Sequence, residues 1–420
     1  MKLLPKVVPA LAALLTLLQG CAPLPLITGE TLYVMVARQR RLDWLRRTDF
    51  DEKLWAPLLK EYGRLYPNVR VSIFTVGENE LVAELRKRTA RGLGPDLILA
   101  RAPVTNTLLR EGLIAPVPST PAMNRTLAQV MPVQLNRVRN GGDLSGLPFA
   151  ELVTLACYNR KTIPDPPRTT TELMARAAAG RTIGLSIDAY GLWWTAGTMD
   201  AADSLAPLLV GEAPANALAS QQMEQKITAW LTWLRQLVGQ SRVDLASGPE
   251  ELTDGLIKGR LDWIPCYSLT LDALKEGMGE RLGVSALPSG PGGSPSPFNS
   301  LHVWAFGLDS SARQQQNAAA LAQLSVDPVL QRRVVLESQV VLPVNRFVEI
   351  PVASSGVLAA LKEAGEQFES ETPIFRQPFD LRRMNILAPQ MESVIQQVMV
   401  GVLTPVEGTR WILRFAEPVR

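Results

Sequence analysis

Apolar and polar positions alternate along the chain with a period that switches between two and about 3.6 residues, and the switches mark its elements. Residues 31–37, "TLYVMVA", are β-branched or aromatic without a breaker and predict a strand. Over 51–66 Leu54, Leu58, Leu59, Tyr62, Leu65 and Tyr66 recur at helical spacing, and Pro67-Asn68 ends the helix. Residues 69–74 alternate like a strand, 80–90 return to helical spacing, and 94–100 form a third short apolar run. This β-α-β-α-β order predicts an α/β fold with mixed, mainly parallel sheets flanked by helices. Ligands of such sheets bind beyond the carboxyl ends of the strands.

The pattern recurs further on, with strands over 152–159, 182–187 and 260–267 and helices over 170–179 and 223–238. The stretch 287–300, rich in Pro, Gly and Ser, holds no regular element and reads as a crossing between domains. A strand over 301–308 and a helix over 311–325 follow, and the chain is mostly helical from Val357 on. Local signals support several boundaries. Thr169 to Glu172 offers a hydroxyl cap and an acid for the helix that follows, and near the end Thr404 is placed as N-cap with Pro405 at the first position of a short last helix. Asp96, after the Gly94-Pro95 turn, is placed to satisfy loop amides.

A chain of 420 residues exceeds what one core usually supports and predicts two domains. Lys2 and Lys6 precede an apolar run from Val7 to Leu18, which is signal-peptide geometry and too short to span a bilayer. Leu18-Gln19-Gly20-Cys21 resembles a bacterial lipobox, so residues 1–20 read as a lipoprotein signal, Cys21 as the lipidated residue and 21–30 as a tether. Loss of the two signal lysines brings the formal charge of +3 still closer to neutrality, which disfavours nucleic acid as a partner. Cys157 and Cys266 lie in apolar surroundings, which favours buried free thiols, although an exported protein can also pair them. His302 is the one histidine, and without a Cys/His cluster neither a zinc site nor a cofactor is expected.

Six stretches together resemble the extracellular solute-binding proteins of ABC importers, the maltose-binding-protein-like group. They are "YPNVRVSI" (66–73), "RGLGPDLILARAPVTNTLLREGLIAPV" (91–117), "GLPFAELVTLACYNRKTIPDPPRTTTEL" (146–173), "ALPSGPGG" (286–293), "LPVN" (342–345) and "VMVGVLTPVEG" (398–408). The resemblance implies a two-lobe periplasmic-binding-protein-like fold of type II with the ligand cleft between the lobes. It places lobe one at 22–147 plus 298–343 and lobe two at 149–296 plus 345–420, with hinge crossings near 146–149, 295–298 and 342–345. It also implies a monomer on the extracytoplasmic face of the membrane, held there by its lipid, that hands a small solute to permease subunits.

Sugar recognition needs apolar faces for C–H groups and placed polar groups for hydroxyls. "DAYGLWWTAG" (188–197) follows a strand where the family carries aromatics into the cleft, so Tyr190, Trp193 and Trp194 are the expected stacking platforms. Arg101, Thr105 and Asn106 in the loop after the third strand, and Glu151 past the first crossing, are expected polar partners. Tyr267 and Ser268 end the strand that carries Trp263, and Asn299 flanks the second crossing. The chain departs from the family at Pro265 and Cys266, and at Pro103 and Val104 in the lobe-one loop.

Other readings follow from the same residues. Polyamine binding would draw on cleft acids such as Glu151 and Asp188, and ferric binding would need convergent tyrosines, of which there are six in all. A structural or signalling lipoprotein on the same fold is a third. A secreted glycoside-active enzyme is the weakest, since no Gly-x-Ser-x-Gly or His-Glu-x-x-His motif is present.

Overall fold

Alternate residues of the first strand, β1 (Glu30–Arg38), point into two different cores. Leu32, Val34 and Val36 meet Leu54 and Leu58 of the helix Arg47–Leu65, whereas Met35 meets Leu81 and Leu85 of the helix Leu81–Thr89. A strand buried on both faces is the mark of a sheet sandwiched between helices. The computed structural model describes residues 29–38, 47–210, 214, 216–371 and 381–416; the expected signal, tether and Cys21 lie outside them.

The remaining strands are β2 (Val69–Gly77), β3 (Leu97–Arg101), β4 (Arg139–Asn140), β5 (Asp143–Leu144), β6 (Leu147–Leu152), β7 (Thr154–Asn159), β8 (Ile183–Ser186), β9 (Val243–Ala246), β10 (Trp263–Tyr267), β11 (Leu282–Ser285), β12 (Ser300–Phe306) and β13 (Val341–Pro343). They form a six-stranded sheet, β13-β6-β12-β3-β1-β2, a five-stranded sheet, β11-β7-β10-β8-β9, and the small pair β4-β5. Parallel pairing joins β1 to β2 and β3, and β8 to β9 and β10. The strands contributed by the crossings pair antiparallel, so each sheet is mixed.

Two crossings lie later in the chain than the residues near 146–149 and 342–345 where the sequence places them. Leu147 and Pro148 pair with Trp304 and Val303 inside the first sheet, and the chain leaves that sheet only at Val153. Pro148 cannot donate to the ladder, and the register shift between His302 and Val303 accommodates it. At the third crossing Met131 N–H donates to Val344 O (2.9 Å) and Arg346 N–H to Gln129 O (2.8 Å), which keeps this segment on lobe one. Only the following helix, Gly356–Glu371, reaches lobe two, where Arg168 pairs with Glu363 at 2.8 Å. The second crossing runs between Ser296, whose N–H donates to Trp194 O, and Ser300, which opens β12.

The expected free thiols are in fact a disulfide between Cys157 and Cys266, with Cα atoms 5.8 Å apart. The β7/β10 register explains it. Cys157 lies opposite Ile264 and Cys266 opposite Leu155, so the two are diagonal neighbours on one face.

Two helix caps act as read from the sequence: Thr169 Oγ1 accepts from Glu172 N–H (3.1 Å), and Thr404 caps the last helix, with Glu407 completing a reciprocal capping box. Asp96 accepts not from loop amides but from Tyr33 N–H of β1 (2.8 Å) and from Ser310 Oγ (2.7 Å).

Candidate functional site

At the carboxyl ends of β8 and β10 the second sheet meets the hinge, and a narrow pocket opens there. Ser186 ends β8, and Asp188 caps the helix Ala189–Leu192 by accepting from Gly191 N–H (3.0 Å). Ser186 Oγ also donates to the Asp188 carboxylate, which fixes the acid at the pocket wall. Tyr190 and Trp194 follow on that helix and its continuation, Trp194–Thr198. Cys266 and Tyr267 come from the end of β10, with Pro265 behind them, and Thr154 and Pro297 come from two of the crossings. Pro249 and Leu252 complete the lining, and the pocket holds about 20 Å³.

Of the residues named from sequence, Tyr190, Trp194 and Tyr267 line this pocket. Trp193 does not. Its ring packs on Phe298 of the second crossing with centroids 5.1 Å apart, and Phe298 also takes the edge of Tyr190 at 5.1 Å. Trp194 packs on Trp263 at 6.1 Å, so the two adjacent indoles fill the core beneath the pocket instead of standing out as platforms. The Nε1–H groups of Trp193, Trp194 and Trp263 are buried without a hydrogen-bond partner.

The polar residues expected to meet a ligand are otherwise engaged. Thr105 and Asn106 lie within the helix Ala102–Arg110, not in a loop, because Pro103 starts that helix directly after β3. Thr105 Oγ1 shares a hydrogen with Ser145 Oγ (2.9 Å), and Asn106 donates to Arg137 O (2.8 Å) and accepts from Ser145 Oγ (2.7 Å). Ser268 Oγ accepts from Val153 N–H (3.2 Å), so it braces the crossing. Arg101 grips Glu78 with two nitrogens at 2.7–3.0 Å on the lobe-one side.

Glu151 pairs with Arg137 inside the hinge and takes a further bond from Gln134 Nε2 (3.1 Å). Arg137 Nη2 donates to Asn299 O (2.8 Å), and Asn299 Oδ1 accepts from Thr154 N–H (3.0 Å). Glu151 and Asn299 therefore hold the crossings together. His302, on β12 opposite Arg101, has a pKa pushed down to about 4, mainly by burial and then by the Arg101 charge.

Thr154, Ser186 and Phe298 were not singled out from the sequence. Phe298 follows a proline in a Pro/Gly/Ser-rich stretch, and that lone aromatic was the available signal. Asp188, named from the sequence as a cleft acid, does line the pocket. Among the described residues no group of three or more His, Cys, Asp or Glu is placed to hold a metal ion.

Two sheets joined by three crossings, with a pocket where strand ends meet the hinge, define a two-lobe binding protein. The chain belongs to the bacterial extracellular solute-binding protein family, whose model matches residues 57–349. This is a family of binding proteins and not of enzymes. No curated protein sequence matches the chain.

Solved structures match over nearly the whole length. The GacH receptor of Streptomyces glaucescens GLA.O, solved unliganded and with acarbose and an acarbose homolog, is 16% identical with a TM-score of 0.70, covering 91% of this chain and 97% of its own. Maltodextrin-binding protein MalE1 from L. casei BL23 is 15% identical at TM-score 0.70, covering 93% and 100%. An ABC transporter solute-binding protein from Thermotoga lettingae TMO, bound with α-D-tagatose, is 16% identical at TM-score 0.65, again covering 93% and 100%. Identities this low speak for the fold alone.

Proposed function

We propose that this protein captures a small neutral solute, a sugar or sugar-like compatible solute, at the pocket between β8, β10 and the hinge and delivers it to an ABC transporter permease. The observation that carries the reading is the pocket's make-up. Prolines and tyrosines supply apolar faces, while Thr154, Ser186 and Asp188 supply a few fixed polar groups. The sugars and sugar analogues in the matched structures agree with it. A lipid on Cys21 holds the receptor beside its permease, two acyl chains giving stable anchoring where one is marginal. The Cys157–Cys266 disulfide supports a location outside the reducing cytoplasm.

The test is thermal unfolding of the purified protein against sugars, polyols, spermidine and ferric citrate. A ligand at 100 times its dissociation constant adds about 2.7 kcal/mol. Stabilisation by a sugar or polyol is expected; stabilisation only by spermidine or iron would replace the sugar reading. A Cys21→Ala protein is expected to leave the membrane fraction and still bind.

A further inference from the structure

We propose that the pocket accepts one sugar-sized ring end-on, between Tyr190 and Tyr267, and does not bind an extended oligosaccharide. The inference rests on the solute-binding reading above and narrows its ligand.

The first ground is the rigidity of the pocket floor. Pro249, Pro265 and Pro297 have fixed φ angles, and Cys266 is tied through its disulfide to the neighbouring strand. The pocket that the two tyrosines help to line holds about 20 Å³, room for one hydroxyl or hydroxymethyl group of a ring seated at its mouth. A floor built this way does not deepen to admit a second ring.

The second ground is the supply of aromatic faces. A saccharide chain needs a succession of exposed faces, roughly one for each ring. Here Trp193, Trp194 and Trp263 are at most 1% exposed, buried against Phe298 and one another. Tyr190 and Tyr267 are the aromatic side chains that line the pocket and remain partly open.

The third ground is the polar chemistry. Trp194 lines the pocket, and its buried Nε1–H has no partner. Such a donor is costly unless a ligand oxygen satisfies it. Asp188, locked by Ser186 and Gly191, is an acceptor on the same wall. On lobe one, Arg101 is matched by Glu78, consistent with a neutral ligand. One ring with an oxygen for the indole N–H and a hydroxyl for Asp188 satisfies these groups.

The experiment is titration calorimetry of the purified protein with glucose, galactose, fructose, tagatose and myo-inositol, and with maltose, maltotriose and maltotetraose. At least one single-ring compound is expected to bind, and the oligosaccharides to bind at least tenfold more weakly. Tyr190→Ala and Tyr267→Ala should each weaken binding tenfold or more. Trp194→Phe removes the N–H together with part of a buried ring system, so it should lower the melting temperature through the cavity left and weaken binding about tenfold. Affinity that rises with chain length would overturn the single-ring assignment and leave the sugar-binding reading standing. Silence toward every compound would overturn both. Wild-type affinity in all three variants would place the ligand elsewhere.

Discussion

Arg137 donates to Glu151 inside the hinge, and neither side chain is more than 3% exposed. The pair joins the helix Pro132–Arg137 to β6, and Arg137 reaches on to the backbone of Asn299 in the second crossing. Removing one partner leaves a buried charge unmatched. Arg137→Ala is expected to cost about 3–5 kcal/mol, read from urea unfolding. Arg137→Met combined with Glu151→Leu should recover most of that loss. A single variant costing under about 1 kcal/mol would mean that water already reaches the pair.

The disulfide closes a loop with a sequence separation of 109 residues. The Cys157→Ala, Cys266→Ala double variant should lose about 2–5 kcal/mol of stability by constraining its unfolded chain less. Reductant should lower the unfolding midpoint of the wild type and leave that of the double variant unchanged. Equal sensitivity of both proteins would rule the bond out.

Gly197 lets the second crossing lie directly against the helix Trp194–Thr198. A Cβ there would sit 2.5 Å from Ser294 O and 2.7 Å from Ser296 N, both backbone atoms. Gly197→Ala must push the crossing away and break the Gly197 N–H to Ser296 Oγ bond (3.0 Å). A loss of about 1–3 kcal/mol is expected on thermal unfolding, with weaker ligand binding. Unchanged stability would show that the crossing shifts freely.

His302 makes stability depend on pH in the acid range. Its folded pKa, near 4, lies below the ordinary value of 6.5, so the unfolded chain binds the proton more readily. The resulting stability is complete above pH 6.5 and fades as the pH falls toward 4, by at most about 3 kcal/mol. His302→Gln should flatten that part of the pH–stability curve. A profile of unchanged slope would show that the carboxylates dominate it.

Local signals were legible in the sequence, and distant ones were not. The Thr169 and Thr404 caps depend on neighbours a few residues away, whereas Asp96 takes its bonds from Tyr33 and Ser310, far off in sequence, and the helix that carries Thr105 and Asn106 reads as a loop. β9, "VDLA", and β11, "LGVS", are too short and mixed to announce themselves, and they are strands because β8 and β7 pair with them. The site was half legible for the same reason. "DAYGLWW" announces aromatics near a strand end, but Phe298 and Trp263 decide that both indoles turn inward. Glu151 looked available because Arg137 reaches it only through the packed hinge. The cysteine pairing needed the antiparallel register of β7 and β10.

Phe298 lies in a crossing and packs against the indole of Trp193 and the phenol of Tyr190. Any displacement of that crossing alters the surroundings of a buried fluorophore. The protein thus carries an intrinsic optical gauge of its hinge, readable by tryptophan emission without a dye or a tag.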